Sequence, residues 1–131
     1  MPYLIDTSIA IHARDGTDSI LDKLDEHDGS VLLSALSWAE LQRGLFKRPS
    51  ETVLRQKRLR ELLDSIPIIP FDAAAAEAYG KIISMCGWVK GRDFDRMIAG
   101  HAISAGCMFV TANEADFKDI PGLRMEAWPV R

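Results

Sequence analysis

The sequence predicts one α/β domain over residues 1–131, with a central, mostly parallel sheet of four or five strands and helices on both faces. Three observations lead there. Short apolar runs (Tyr3–Ile5, Val31–Leu33, Ile66–Phe71, Cys107–Val110) alternate with longer stretches whose apolar residues recur at helical spacing. Strands separated by helices of that length pair in parallel through right-handed crossovers. The chain of 131 residues, 47% hydrophobic and 27% charged, suits a single core and shows no repeat or low-complexity linker.

Taken in order, Tyr3-Leu-Ile5 reads as a buried strand that delivers Asp6-Thr7-Ser8 into a turn at its carboxyl end. In open α/β sheets ligands bind outside those carboxyl ends. A helix from Ile9 to Ala13 follows, capped by Asp6, Thr7 or Ser8, then a second from Thr17 to His27 carrying Ile20, Leu21 and Leu24, stopped by Asp28-Gly29-Ser30. Val31–Leu33 is the next strand. Ser34 and Ser37 are candidate caps for a helix running through Trp38 to Phe46, in which Glu40 lies early and among apolar neighbours. Pro49 restarts the chain, and Glu51 to Leu63 reads as a helix.

Ile66 to Phe71 has strand composition, but its prolines shorten the ladder. Asp72 caps an Ala-rich helix reaching about Met85, and Gly87 ends it. A polar loop, Trp88 to Phe94, feeds a helix from Asp95 to Ser104 that Gly106 terminates. Cys107–Val110 is a strand, Thr111-Ala-Asn113 a polar turn, Ala115 to Phe117 a short helical turn, and Arg124 to Trp128 a last short strand. Cys86 and Cys107 lack any ligand pattern and read as buried thiols, and His12, His27 and His101 show no metal-ligand spacing.

No stretch approaches a membrane span, and the N-terminus carries neither a basic leader nor a long apolar region, so a cytoplasmic location without membrane contact is expected. Neither the dinucleotide glycine pattern nor the Walker pattern occurs, which argues against a nucleotide cofactor. Charge is segregated. The net value is −3, yet Leu41 to Arg60 holds seven basic residues (Arg43, Lys47, Arg48, Arg55, Lys57, Arg58, Arg60) against Glu51 alone. Such a segment is either a solvated helix face or an anion-attracting one.

Strand ends and helix starts gather at one edge of such a sheet, so Asp6, Glu40 and Asp95 can converge, with Asn113 or Asp116 nearby. Carboxylates packed together repel, and a proton or a cation relieves them. Hard oxygen ligands select Mg²⁺ or Mn²⁺. Each residue has a plainer reading too: Asp6 as a cap, Glu40 as a partner of Arg43, Asp95 as a helix-dipole charge, Asn113 as a cap for the following turn. Asp93 competes with Asp95, which directly precedes the buried phase of its helix, and Asp93 is left with loop or capping duty.

The set as a whole resembles the PIN-domain ribonucleases, and among them the VapC-type toxins of bacterial type II toxin–antitoxin pairs. The resemblance rests on Leu4-Ile-Asp-Thr-Ser8, Ser37-Trp-Ala-Glu-Leu-Gln-Arg-Gly44, Phe94-Asp-Arg-Met-Ile-Ala-Gly-His-Ala102, Val110-Thr-Ala-Asn113 with Asp116-Phe117, and Gly122-Leu-Arg124 with Trp128. It implies a divalent-metal endoribonuclease with Asp6, Glu40 and Asp95 as catalytic and metal-binding acids. Asn113 stands where many members carry a fourth acid, leaving Asn113 or Asp116 to complete the site. Thr7, Ser8 and Thr111 are expected to position the acids by hydrogen bonds. Metal-activated water would attack a phosphodiester of structured RNA, expected to be tRNA cut in a single-stranded loop, leaving a 3′-hydroxyl and a 5′-phosphate. Arg43, Lys47, Arg48, Arg92 and Arg96 are the expected RNA contacts. A cognate VapB-like antitoxin and a toxin homodimer are the implied partners.

Two other classes compete. A catalytically silent RNA-binding or protein-interaction domain of the same fold would use the basic segment and keep the acids as caps. A phosphatase with Asp6 as nucleophile usually has a second Asp two positions on, where this chain has Ser8.

Overall fold

The structure, a computed structural model, describes residues 1–130. Among these residues five strands form one sheet in the order β3-β2-β1-β4-β5: β1 (Tyr3–Ile5), β2 (Val31–Ser34), β3 (Ile68–Ile69), β4 (Met108–Thr111) and β5 (Met125–Ala127). Every pairing is parallel, so the expected fold class stands and the sheet is more uniform than the sequence required. Among the described residues six α-helices fill the connections: α1 (Thr7–Arg14), α2 (Asp18–Glu26), α3 (Ala35–Phe46), α4 (Thr52–Leu63), α5 (Ala73–Cys86) and α6 (Asp93–Ala105).

The chain builds outward from β1 to β2 and β3, then returns to lay β4 on the other edge of β1 and β5 beyond it. The direction of winding therefore reverses between β1 and β4. Crevices open at such switch points. Here Ile5 pairs with Val110, and the Asp6 amide donates to the Val110 carbonyl at 2.9 Å, which sets Asp6 beside Thr111.

Alternation along the strands divides the core. Leu4 and Phe109 face α5 and α6, joined by Ile82, Ile98, Ala99, Ala102 and Phe117. Ile5 and Val110 face α1 to α4, with Ile9, Ile20, Leu41, Leu45 and Leu59. A strand buried on both faces reads as a continuous apolar run, which is why Tyr3-Leu-Ile5 was legible without alternation. Leu4 and Ile5 are completely buried, and each contributes about 1.5–3 kcal/mol by burial.

Boundaries differ from the sequence reading where side-chain chemistry competes with pattern. Helix α1 starts at Thr7, because Asp6 itself is the cap and no turn intervenes. The run Ile66 to Phe71 yields only two strand residues, since Pro67 and Pro70 flank Ile68–Ile69 and neither has an amide to donate. Helix α6 starts at Asp93, two residues early, so that Asp95 lies inside its first turn. The last strand falls within the expected Arg124 to Trp128, and Trp128 is fully buried, stacked on His27 at 5.6 Å. The thiols are unpaired, Cys107 buried and Cys86 partly so. His101 packs in the core, with Nδ1 2.9 Å from the Ser34 hydroxyl and the ring edge-on to Phe71, and burial lowers its pKa.

Helices α5 and α6 meet at Gly100, where an added Cβ would stand 2.8 Å from the Tyr79 amide nitrogen and 3.1 Å from its Cα. Both obstacles are backbone, so relief requires the helices to part. Gly100→Ala should therefore destabilise the fold by about 1–3 kcal/mol, although alanine is the better helix former by about 1 kcal/mol. Urea unfolding of the two proteins measures the difference.

Candidate metal centre

The acids come from three elements that the switch point brings together. Asp6 caps α1: its Oδ1 accepts from the Ile9 amide and from the Ser8 hydroxyl, both at 2.9 Å, and the residue is 6% exposed. Capping and burial are compatible roles, so the cap reading and the site reading of Asp6 hold together. Burial raises the Asp6 pKa, while the bonds from Ile9, Thr111 and Ser8 act against that rise. Glu40 lies on α3, its side chain largely covered. The Thr7 hydroxyl donates to Glu40 Oε1 at 2.6 Å and lies 2.9 Å from the Ser37 hydroxyl. Arg43 approaches the other oxygen only to 3.9 Å from an exposed position.

Asp95 stands at the mouth, exposed to solvent. Its pKa is raised, first by the loss of surrounding water and then by the negative charge of Asp6, Glu40 and Asp116, with Arg92 opposing. This is the electrostatic signature of a shared pocket, because an isolated carboxylate in a helix's first turn is favoured in its charged form. Asp93, two residues earlier, faces away. Its Oδ1 accepts from the Tyr79 hydroxyl at 2.7 Å and from the Trp88 indole at 2.9 Å, tying the loop after α5 to α6.

Asn113 and Asp116 form the far wall, in the turn after β4. Asn113 Nδ2 donates to Asp116 Oδ2 at 2.6 Å, and the Asn113 amide donates to the Thr111 hydroxyl oxygen at 3.0 Å. For two residues already named, a cap and an RNA contact, the role at the site was not foreseen. Ser37, completely buried one helical turn before Glu40, supports Thr7, and its i, i+3 spacing to Glu40 was the available signal. Arg92 holds Asp116 across the loop, a contact between segments that no spacing reveals.

The basic residues separate. Arg43, Lys47 and Arg48 line a groove of about 670 Å³ that also touches Thr7 and Glu40, so they border the acidic pocket. Arg96 does not belong with them, and its assignment as an RNA contact is corrected: its side chain is only 3% exposed and points into the protein, bonded to Asp119 Oδ2 at 2.9 Å. It lies on the inner side of α6, one turn past Arg92.

Among the described residues no three Asp, Glu, His or Cys side chains close on one point tightly enough to cage a metal ion. Glu40 is drawn towards Thr7. The donor set nevertheless suits a hard cation: Asp6, Glu40 and Asp95 offer only carboxylate oxygen, no sulfur or imidazole joins them, and their mutual repulsion is what a dication offsets. Mg²⁺ keeps several waters and needs only one or two carboxylates, so a closed cage is not required.

A doubly wound parallel sheet with carboxylates gathered at its switch point defines an α/β domain with an acidic pocket. The model of the PIN domain family matches residues 3–123, and the chain belongs to that family. It is similar to "Ribonuclease VapC2" of Rickettsia felis, 32% identical over 98% of both chains, and to "tRNA(fMet)-specific endonuclease VapC" of Shigella flexneri, also 32% identical over 98% of both. The solved structure of VapBC2 from Rickettsia felis bound to a promoter DNA fragment matches with a TM-score of 0.86 at 31% identity, covering 98% of this chain and 99% of that one. The chain is thus a VapC-type PIN domain. Among the described residues no helix is long and apolar enough to cross a membrane.

Two outcomes follow from the geometry. A carboxylate whose pKa is raised in the fold stabilises the protein fully below its ordinary range, and that contribution is lost as pH rises through the raised value. Around neutral pH in chelator, Asp95→Asn should therefore melt no lower than the parent protein; Mn²⁺ should raise the melting temperature of the parent and not of the variant. Thr7→Ala, which removes the hydroxyl that orients Glu40, should cost roughly 10–100-fold in metal affinity or turnover, read by metal titration and by cleavage rate.

Proposed function

We propose that this chain is a Mg²⁺- or Mn²⁺-dependent endoribonuclease toxin that cleaves structured RNA, with tRNA as its substrate, in the cytoplasm. The observation that carries the reading is the gathering of Asp6, Glu40 and Asp95 from three elements at the switch point, where β1 pairs with β4 and Thr7 links the Asp6 turn to Glu40. The substrate class is supported by the tRNA(fMet)-specific endonuclease to which the chain is similar.

Asp6, Glu40 and Asp95 would hold the ion, with Asn113 and Asp116 beside them. When bound, a divalent cation lowers the pKa of water and offsets charge developing on phosphoryl oxygens. The chain's own residues supply the rest. Ser8 and the Ile9 amide fix the orientation of Asp6, and Thr111 adds a further hydrogen bond. Thr7 holds Glu40, whose carboxylate is placed to accept a proton from attacking water. Arg43, Lys47 and Arg48 lie along the groove that leaves the pocket and would bind flanking phosphates, which positions a loop nucleotide over the acids. No side-chain nucleophile is needed.

Regulation follows the relatives. Their solved structures are VapBC complexes, which supports a VapB-like antitoxin as the partner that inhibits this chain. A homodimer is proposed with it, and light scattering of the purified protein tests the assembly. The contiguous basic groove also suits a domain that binds RNA without cutting it.

Purified protein with Mg²⁺ or Mn²⁺ should cleave a tRNA pool, leaving 5′-phosphate ends. Excess chelator, Asp6→Asn or Asp95→Asn should each reduce the rate by about 10²-fold or more. Undiminished cleavage under all three conditions would sink the metal-nuclease reading. RNA binding with no cleavage by the parent protein would favour the silent domain.

A further inference from the structure

Phe46, the last residue of α3, stands out in the groove beside the acidic pocket. It is 64% exposed and lines that groove with Arg43, Lys47, Arg48 and Arg55, in a lining that reaches Thr7 and Glu40. Leu41 and Leu45 of the same helix are buried, and Phe46, one position past Leu45, is turned about 100° away from the core. Among the described residues its ring meets no other aromatic ring. An exposed aromatic ring among cations, in a groove leading to the candidate catalytic acids, combines the two groups that hold single-stranded nucleic acid.

The backbone under this ring is held in place. A helix end leaves carbonyls without intrahelical partners, and here α4 supplies them: the Thr52 hydroxyl donates to the Leu45 carbonyl at 2.6 Å and Arg55 Nη1 to the Gly44 carbonyl at 2.8 Å. Arg55 is itself fixed by Glu51 at 3.0 Å. The ring therefore stands on a shelf secured against fraying, and an aromatic side chain loses little conformational freedom when it stacks. Around it Arg43, Lys47 and Arg48 are exposed, and among the described residues that line the groove Glu40 is the only acid. Such a surface complements a polyanion. A second copy seated here about a two-fold axis would bring the same basic patch against itself.

Resting on the reading of RNA as the substrate, we propose that this groove is a nucleotide subsite in which Phe46 stacks on an unpaired base flanking the scissile bond, while Arg43, Lys47 and Arg48 hold the phosphates beside it. Phe46 lies about 9 Å along the helix axis from Glu40, which keeps the stacked base close to the acids. Every base has a π-face, so the ring does not read base identity. It reads accessibility: a base inside a duplex is already stacked, whereas a base in a loop can be splayed onto the ring. Phe46 is thus the residue that selects single-stranded over paired RNA.

The probe is a fluorescein-labelled oligoadenylate, bound to the full chain in excess chelator and followed by fluorescence anisotropy, so that affinity is read without cleavage. Phe46→Ala and Phe46→Leu should each weaken binding by about 10-fold or more, and Phe46→Trp should keep parental affinity. None of the three should melt lower than the parent, because the ring is exposed. Loss of the ring leaves the phosphate contacts in place, so the slope of log affinity against log salt should stay parental in Phe46→Ala, whereas Arg48→Gln should reduce it by about 0.7. An abasic strand of the same length should bind the parent and Phe46→Ala equally. Parental affinity in Phe46→Ala, full affinity in Phe46→Leu, or an equal loss with the abasic strand would overturn the proposal. So would a Phe46→Ala chain that keeps its RNA affinity but falls from dimer to monomer in light scattering, which would assign the ring to a second copy. All of these outcomes leave the metal-nuclease reading intact; chelator-resistant cleavage would remove that reading and leave the stacking subsite standing.

Discussion

The pairing of β1 with β4 is the constraint on which the rest of the molecule depends. Through the bond from the Asp6 amide to Val110 it places the last residue of the first strand beside the last residues of a strand that begins more than a hundred positions later. Winding in opposite directions on either side of this pair opens the crevice. Helices α1, α3 and α6 then begin or run past it, and each carries one acid to its rim.

That convergence has an electrostatic cost that the fold absorbs locally. Asp6 is offset by a helix N-terminus and two hydroxyls, Glu40 by Thr7, and Asp116 by Arg92 and Asn113. Asp95 has Arg92 to oppose the charges around it, and it is the most exposed of the four acids. The pocket is thus graded from a compensated floor to a less compensated mouth, where the proposed cation and RNA phosphate would arrive. Hydroxyl groups do most of the compensating on the floor. They orient a carboxylate without neutralising it, so the acids stay available as ligands.

Much of this was legible in the chain. Tyr3-Leu-Ile5 before Asp6 announces a buried strand with a polar end, and the Gly106 stop marks the end of α6. The prolines around Ile68 and Ile69 foretold a short strand. Asp93 and Asp95 were separable by phase, because Met97 and Ile98 set the buried side of α6, and the structure gives Asp93 a clip between Tyr79 and Trp88. Arg96 was misread for a related reason. It neighbours Asp95 in sequence, but adjacent helical positions point about a hundred degrees apart, and its direction leads inward to Asp119.

By itself the sequence determined the α/β class, the element order, the acids and the basic segment, because these depend on local periodicity, caps and residue chemistry. Only the tertiary structure decided which strands are neighbours, that Asp116 is held by Arg92 and Asn113, and that Arg92 rather than Arg96 faces the pocket. Those are contacts between segments distant in the chain, and their energies turn on side-chain direction and burial. Neither quantity is carried by spacing along a strand or helix.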